Sequence, residues 1–156
     1  MHKAEQIDNP QILIVDADPN ELKMLLIGLE LEGFKATGTS SSAEALELLE
    51  TKRFDAALID LMMPEVNGLQ LARTFRTARP QVTTILMSAY HLSPVQLARA
   101  NTGAVGFVPK PFLFDDLVAF IHSKTTGRLS GPPIETDPSR RSDNDLHTPF
   151  DVPDAV

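Results

Sequence analysis

Five short apolar runs alternate with segments of helical periodicity, and this alternation constrains the fold more than any other feature of the chain. The runs are Ile12 to Val15, Phe34 to Thr37, Ala56 to Ile59, Thr83 to Met87 and Val105 to Val108. Such an alternation describes βα units on a parallel sheet. The first, third and fourth runs are almost uninterrupted, as strands covered on both faces should be, and this places them at the centre. Leu22, Leu25, Leu26 and Leu29 recur with helical spacing, as do Phe114, Leu117, Val118 and Ile121, so both segments predict helices with one buried face. Asp18 to Glu21, Ser41 to Glu44 and Ser93 to Gln96 each place a cap oxygen three residues before Glu or Gln, the capping-box spacing. Pro19 and Pro94 stand at the first helical position of two of them. A further helix, Leu69 to Ala78, follows Gly68 and stops at Pro80. Five βα units in about 115 residues predict an open doubly wound α/β sheet, because an eight-stranded barrel needs roughly 250.

Sheets of this kind bind ligands at the carboxyl ends of their strands, where the strand order reverses. Just past the apolar runs stand Asp16, Asp60, Ser88 and Lys110. Any one of these has an ordinary structural explanation, as a strand end, a helix cap or a solvated charge. Together, at four strand ends, they bring two carboxylates, a hydroxyl and an amine to one sheet edge. Facing carboxylates repel unless a cation or proton relieves them. Hard oxygen donors suit Mg²⁺, a carboxylate can accept a phosphoryl group, and an ammonium can stabilise the charge in transfer. The residues point to phosphoryl transfer to a carboxylate, without deciding which Asp accepts.

The segments ILIVDADPN, ALIDLMMPEVNGLQL, ILMSAY and GFVPKPF resemble, in order and separation, the four signature segments of response-regulator receiver domains. The resemblance covers residues 11 to 124 and implies a flavodoxin-like (βα)5 three-layer sandwich with a five-stranded parallel sheet of order 2-1-3-4-5. By the same resemblance Asp60 is the phosphoacceptor, and Asp16 and Asp60 with the backbone carbonyl of Met62 hold Mg²⁺. Lys110 pairs with the phosphate, Ser88 is the switch hydroxyl, Phe107 is the aromatic that changes rotamer with it, and the Lys110-Pro111 bond is cis. The implied donor is a histidine kinase or phosphotransfer protein, and the chain is a phosphoacceptor switch rather than a turnover enzyme.

The chain departs from the family pattern at Ala17, where receivers carry a second acid that binds the metal directly. Asp18 is one residue late and is placed to cap a helix, so weaker Mg²⁺ binding is the expectation. Ala17 also motivates an alternative, a pseudo-receiver that binds proteins without phosphorylation. A remoter alternative reads Asp16-Ala17-Asp18 as the first motif of a haloacid-dehalogenase-type phosphatase with Asp16 as nucleophile. Tyr90 and His91, after Ser88, stand where receivers tune dephosphorylation or partner contact.

Composition sets the surroundings. With 42% hydrophobic residues, the 156-residue chain fits one domain. The absence of cysteine agrees with a reducing compartment, no run reaches the roughly 18 apolar residues of a membrane helix, and cytoplasm without membrane contact is the expectation. A net charge of -7 disfavours a nucleic-acid surface and favours a protein partner or a metal. Residues 1 to 10 read as a flexible lead-in. Residues 125 to 156 hold five prolines, six acids and no hydrophobic periodicity, which reads as a disordered tail. No helix-turn-helix fits there, so output through protein contact is expected, with Leu146 to Val152 as the candidate recognition segment.

Overall fold

The structure is a computed structural model that describes residues 9–125. The lead-in through Asp8, and the tail after Thr125 with Leu146 to Val152, lie outside the described residues. Strands β1 (Gln11–Val15), β2 (Lys35–Thr39), β3 (Ala56–Asp60), β4 (Thr83–Ser88) and β5 (Gly106–Pro109) alternate with helices α1 (Pro19–Leu31), α2 (Ser42–Thr51), α3 (Gly68–Ala78), α4 (Pro94–Ala100) and α5 (Phe114–Thr125). All strand pairs are parallel, in the order β2-β1-β3-β4-β5. The fold is the doubly wound sheet that the alternation implied, with β1, β3 and β4 central, and its strand order is that of the flavodoxin-like sandwich that the resemblance implied. The last helix runs one residue past the expected boundary at Lys124.

Period-two alternation along the strands divides the core between the two sheet faces. Leu13, Val15, Ala57, Ile59 and Leu86 pack with Ala45, Leu49, Leu71, Ala72 and Phe75 of α2 and α3. Their strand neighbours Ile12, Ile14, Ala56, Leu58, Ile85 and Met87 pack with Leu25 and Leu29 of α1 and Leu117, Phe120 and Ile121 of α5. Leu22, Leu26 and Phe114 reach this second cluster partly exposed, so both apolar periodicities mark the buried faces they predicted.

Helix ends show where sequence patterns and geometry diverge. Asp18, Ser41 and Ser93 all cap as expected: Asp18 Oδ1 accepts from Asn20 N, Ser41 Oγ from Glu44 N and Ser93 Oγ from Gln96 N. At Ser93 the box also closes in the other direction, with Ser93 N donating to Gln96 Oε1 at 2.8 Å. At Asp18 it does not, because the Asp18 amide is already donated to Asp16 Oδ1 at 2.9 Å. Helix α3 starts one residue before the expected Leu69, capped by Asn67. Strand β2 starts after Phe34, since α1 ends in a turn where Gly33 N donates to Glu30 O and Phe34 N to Leu29 O. Gly33 takes φ +93° there, a conformation that favours glycine. Phe34 is thereby turned into the core.

Truncation of a strand residue between the layers should cost far more than truncation on a helix surface. Leu58→Ala should lower unfolding free energy by about 2 to 5 kcal/mol in urea denaturation, and Leu31→Ala, at an 82% exposed position, by no more than about 0.5 kcal/mol. Equal losses would refute the layer assignment.

Candidate functional site

Strand order reverses between β1 and β3, and the carboxyl ends of these two strands hold Asp16 and Asp60. Asp16 is fully buried and Asp60 is 6% exposed. Each turns one oxygen back to its own loop: Asp16 Oδ1 accepts from Asp18 N, and Asp60 Oδ1 accepts from Met62 N, both at 2.9 Å. These bonds fix the rotation of both carboxylates and leave the second oxygen of each facing the crevice. There Lys110, one residue past β5, places Nζ 3.2 Å from Asp16 Oδ2 and 3.2 Å from Asp60 Oδ2. The three charged residues found at strand ends by sequence therefore meet.

A fourth charge joins them. Glu21, in the first turn of α1, accepts from the same ammonium through Oε2 at 2.8 Å, the shortest of the three contacts. Sequence reasoning assigned Glu21 to a capping box and missed this position. The available signal was Asp16 itself, whose side chain can take the Asp18 amide two residues on and so deny Glu21 its capping partner.

Ser88 is buried at the end of β4. Its hydroxyl accepts from Tyr90 N at 2.9 Å, and its carbonyl accepts from Lys110 N at 2.9 Å. Ser88 thus holds the backbone beside the charged cluster while its hydroxyl organises the following loop, where Tyr90 and His91 are exposed. Phe107 is 9% exposed and lies in the cluster shared with α2 and α3. Met62 is exposed, and its amide holds Asp60. The Lys110-Pro111 bond is cis, as the resemblance implied.

The spacing of Asp60, Pro64 and Gly68 has a steric reason. The loop after β3 returns so closely that a Cβ on Gly68 would fall on the Asp60 carbonyl oxygen and within 2.6 Å of Leu61 Cα. Gly68 N closes the return on Leu61 O at 3.1 Å. Glycine at this position lets α3 begin directly beneath the phosphoacceptor candidate.

Burial pushes the Asp16 carboxyl up to about 6, opposed by the Asp18 amide and the Lys110 charge and reinforced by Glu21 and Asp60. Burial alone would lower Lys110, but its hydrogen bond to Glu21 and the charges of Asp16 and Asp60 outweigh it and hold the ammonium above its ordinary value. The pocket therefore has negative charge in excess of what one lysine neutralises.

An open doubly wound domain with an acidic crevice and one lysine at its strand reversal defines the class. The sequence profile described as the response regulator receiver domain matches residues 12–122, and the chain belongs to that family. It is 30% identical over 109 residues, 70% of the chain and 47% of the relative, to response regulator MprA of Mycobacterium sp. strain KMS. It is 33% identical over 100 residues, 64% of the chain and 22% of the relative, to transcriptional regulatory protein GlrR of Escherichia coli K12. The chain thus spans half or less of these curated relatives. A CheY-like receiver domain protein from Methanospirillum hungatei superposes with a TM-score of 0.73 at 28% identity, covering 78% of this chain and 97% of that one. Response regulator TrrA from Thermotoga maritima, solved in complex with Mg(2+)-BeF, superposes with 0.66 at 29% identity, covering 73% and 97%. Membership in this family leaves the phosphatase reading of Asp16-Ala17-Asp18 without support, and Asp18 uses its carboxylate to cap α1. Among the described residues no helix is long and apolar enough to cross a membrane.

The raised Asp16 value fixes a pH dependence. Between the ordinary carboxyl range and about 6 the folded chain keeps a proton that the unfolded chain has lost, so this contribution to stability is present below that window and is lost as pH rises through it. In metal-chelating buffer, the stability of Asp16→Asn relative to wild type should therefore rise by about 2 to 3 kcal/mol from pH 4 to pH 7. Chemical denaturation at several pH values reads this difference, and a flat difference would contradict the assignment.

Proposed function

We propose that the chain is a phosphorylation switch in which Asp60 accepts a phosphoryl group from a histidine kinase or phosphotransfer protein. The observation that carries this reading is the placement of Lys110 Nζ between the free oxygens of Asp16 and Asp60, each carboxylate being oriented by a backbone amide. Asp60 Oδ2 attacks phosphorus while the bond from phosphorus to the donor nitrogen breaks, and the donor imidazole regains its proton from solvent. Lys110 stays within reach of the equatorial oxygens and balances their charge. The Ser88 hydroxyl, which accepts from the Tyr90 amide and has its O–H to donate to a phosphate oxygen, is the residue through which the new group alters the loop after β4, and Phe107 is the aromatic neighbour that follows it. Asp16, Asp60 and the Met62 carbonyl are the proposed holders of Mg²⁺, which supplies charge neutralisation at the transferring group when bound; hard oxygen donors with places left for water suit that ion. The Thermotoga relative solved in complex with Mg(2+)-BeF supports a divalent ion as the cofactor.

The chain catalyses its own modification without turning over a substrate, and its output is contact with a protein partner in the cytoplasm. Ala17 favours a second reading, a pseudo-receiver that binds its partner without phosphorylation. Incubation with acetyl phosphate and MgCl₂ separates the two. The proposal expects an acid-labile, hydroxylamine-sensitive phosphate, its absence in Asp60→Asn, and a rate about 100-fold lower in Lys110→Gln. Equal incorporation by Asp60→Asn would remove the assignment, and no incorporation by wild type would leave the pseudo-receiver.

A further inference from the structure

We propose that Glu21 replaces the acid missing at position 17: it is the third carboxylate of the pocket and a ligand, direct or through one water, of the divalent cation. The inference rests on the phosphoacceptor reading of Asp60 and deepens it. It starts from a conflict at the head of α1. Glu21 occupies the position from which a capping box would return to the Asp18 amide, but that amide is held by Asp16 Oδ1. The Glu21 side chain instead turns inward, 20% exposed, and reaches the Lys110 ammonium.

Charge gives the next step. Asp16, Asp60 and Lys110 alone sum to one negative charge, which a divalent ion would overcompensate. With Glu21 the sum is two, which a divalent ion neutralises. Asp16 Oδ2, Glu21 Oε2 and Asp60 Oδ2 all lie within 3.2 Å of Lys110 Nζ, so all three face one point. The ammonium stands where the oxygens converge. When Lys110 turns to a phosphoryl oxygen, Asp16 and Glu21 lose their counter-charge together, and a cation held between them restores it. An Asp at position 17 would supply the third charge from the loop; Glu, one methylene longer, supplies it from the first turn of the helix.

The test is an NMR titration of the ¹⁵N-labelled full chain with MgCl₂, reading the amides of Ala17, Leu61 and Met62. Glu21→Gln should raise the Mg²⁺ dissociation constant about tenfold or more, and Ala17→Asp added to it should restore the wild-type value. Because Glu21 also holds Lys110, the series is repeated in Lys110→Gln: a ligand effect persists there, whereas an effect exerted through the lysine disappears and would overturn the proposal. Equal affinities of wild type and Glu21→Gln would likewise overturn it, with Asp60→Asn still weakened showing that the site reading survives. If Mg²⁺ shifts none of these amides in wild type, the site reading and the proposal fall together. Unchanged dispersion of the remaining amides verifies that each variant is folded.

Discussion

The contact on which the site depends is the one between the Lys110 ammonium and three carboxylates. Two of these, Asp16 and Asp60, lie at the ends of adjacent central strands and are almost withdrawn from water. Buried charges of one sign persist only when paired and hydrogen-bonded. The fold supplies both conditions, with a backbone amide for one oxygen of each Asp and a shared cation for the other. Lys110 directly follows the last strand, Glu21 comes from the first helix, and the aspartates stand at the ends of β1 and β3. The cluster therefore exists only when the sheet has closed in the order 2-1-3-4-5, which makes the site a product of topology rather than of any local segment.

The layers were legible in the sequence because burial writes itself as periodicity. Continuous apolar runs marked the central strands, and apolar residues at helical spacing marked the faces of α1 and α5. Asp16, Asp60, Ser88 and Lys110 were legible for a related reason: in a parallel sheet every strand end arrives at one edge, so four chemical groups at four strand ends must be neighbours. What escaped was decided by competition among partners. Glu21 has the spacing of a cap residue, and only the use of the Asp18 amide by Asp16 diverts it. The hydroxyl of Ser88 takes a loop amide, and Phe107 joins the core on one face; neither choice follows from residue type. Strand and helix limits moved by a residue or two where turns intervened, as at Gly33.

Ala17 looks different once Glu21 is in view. Read along the chain, it is a deletion from the acidic pocket and predicts a weaker cation site. Read in space, the pocket holds three carboxylates after all, one of them contributed by a helix. A residue on a helix reaches inward along a different line from one in a loop, so the same charge count is met with another geometry. Residue-by-residue transfer of a family pattern compares positions, and so passes over a carboxylate that reaches the same lysine from a helix.

The hydrogen bond from Lys110 N to Ser88 O joins the two residues proposed to grip a phosphoryl group by a single peptide contact between neighbouring strands. Their side chains respond to the same incoming oxygens, yet their backbones are tied like two links of a hinge. The ends of β4 and β5 are thus tied at one point, between the loop that leads to α4 and the segment that leads to α5.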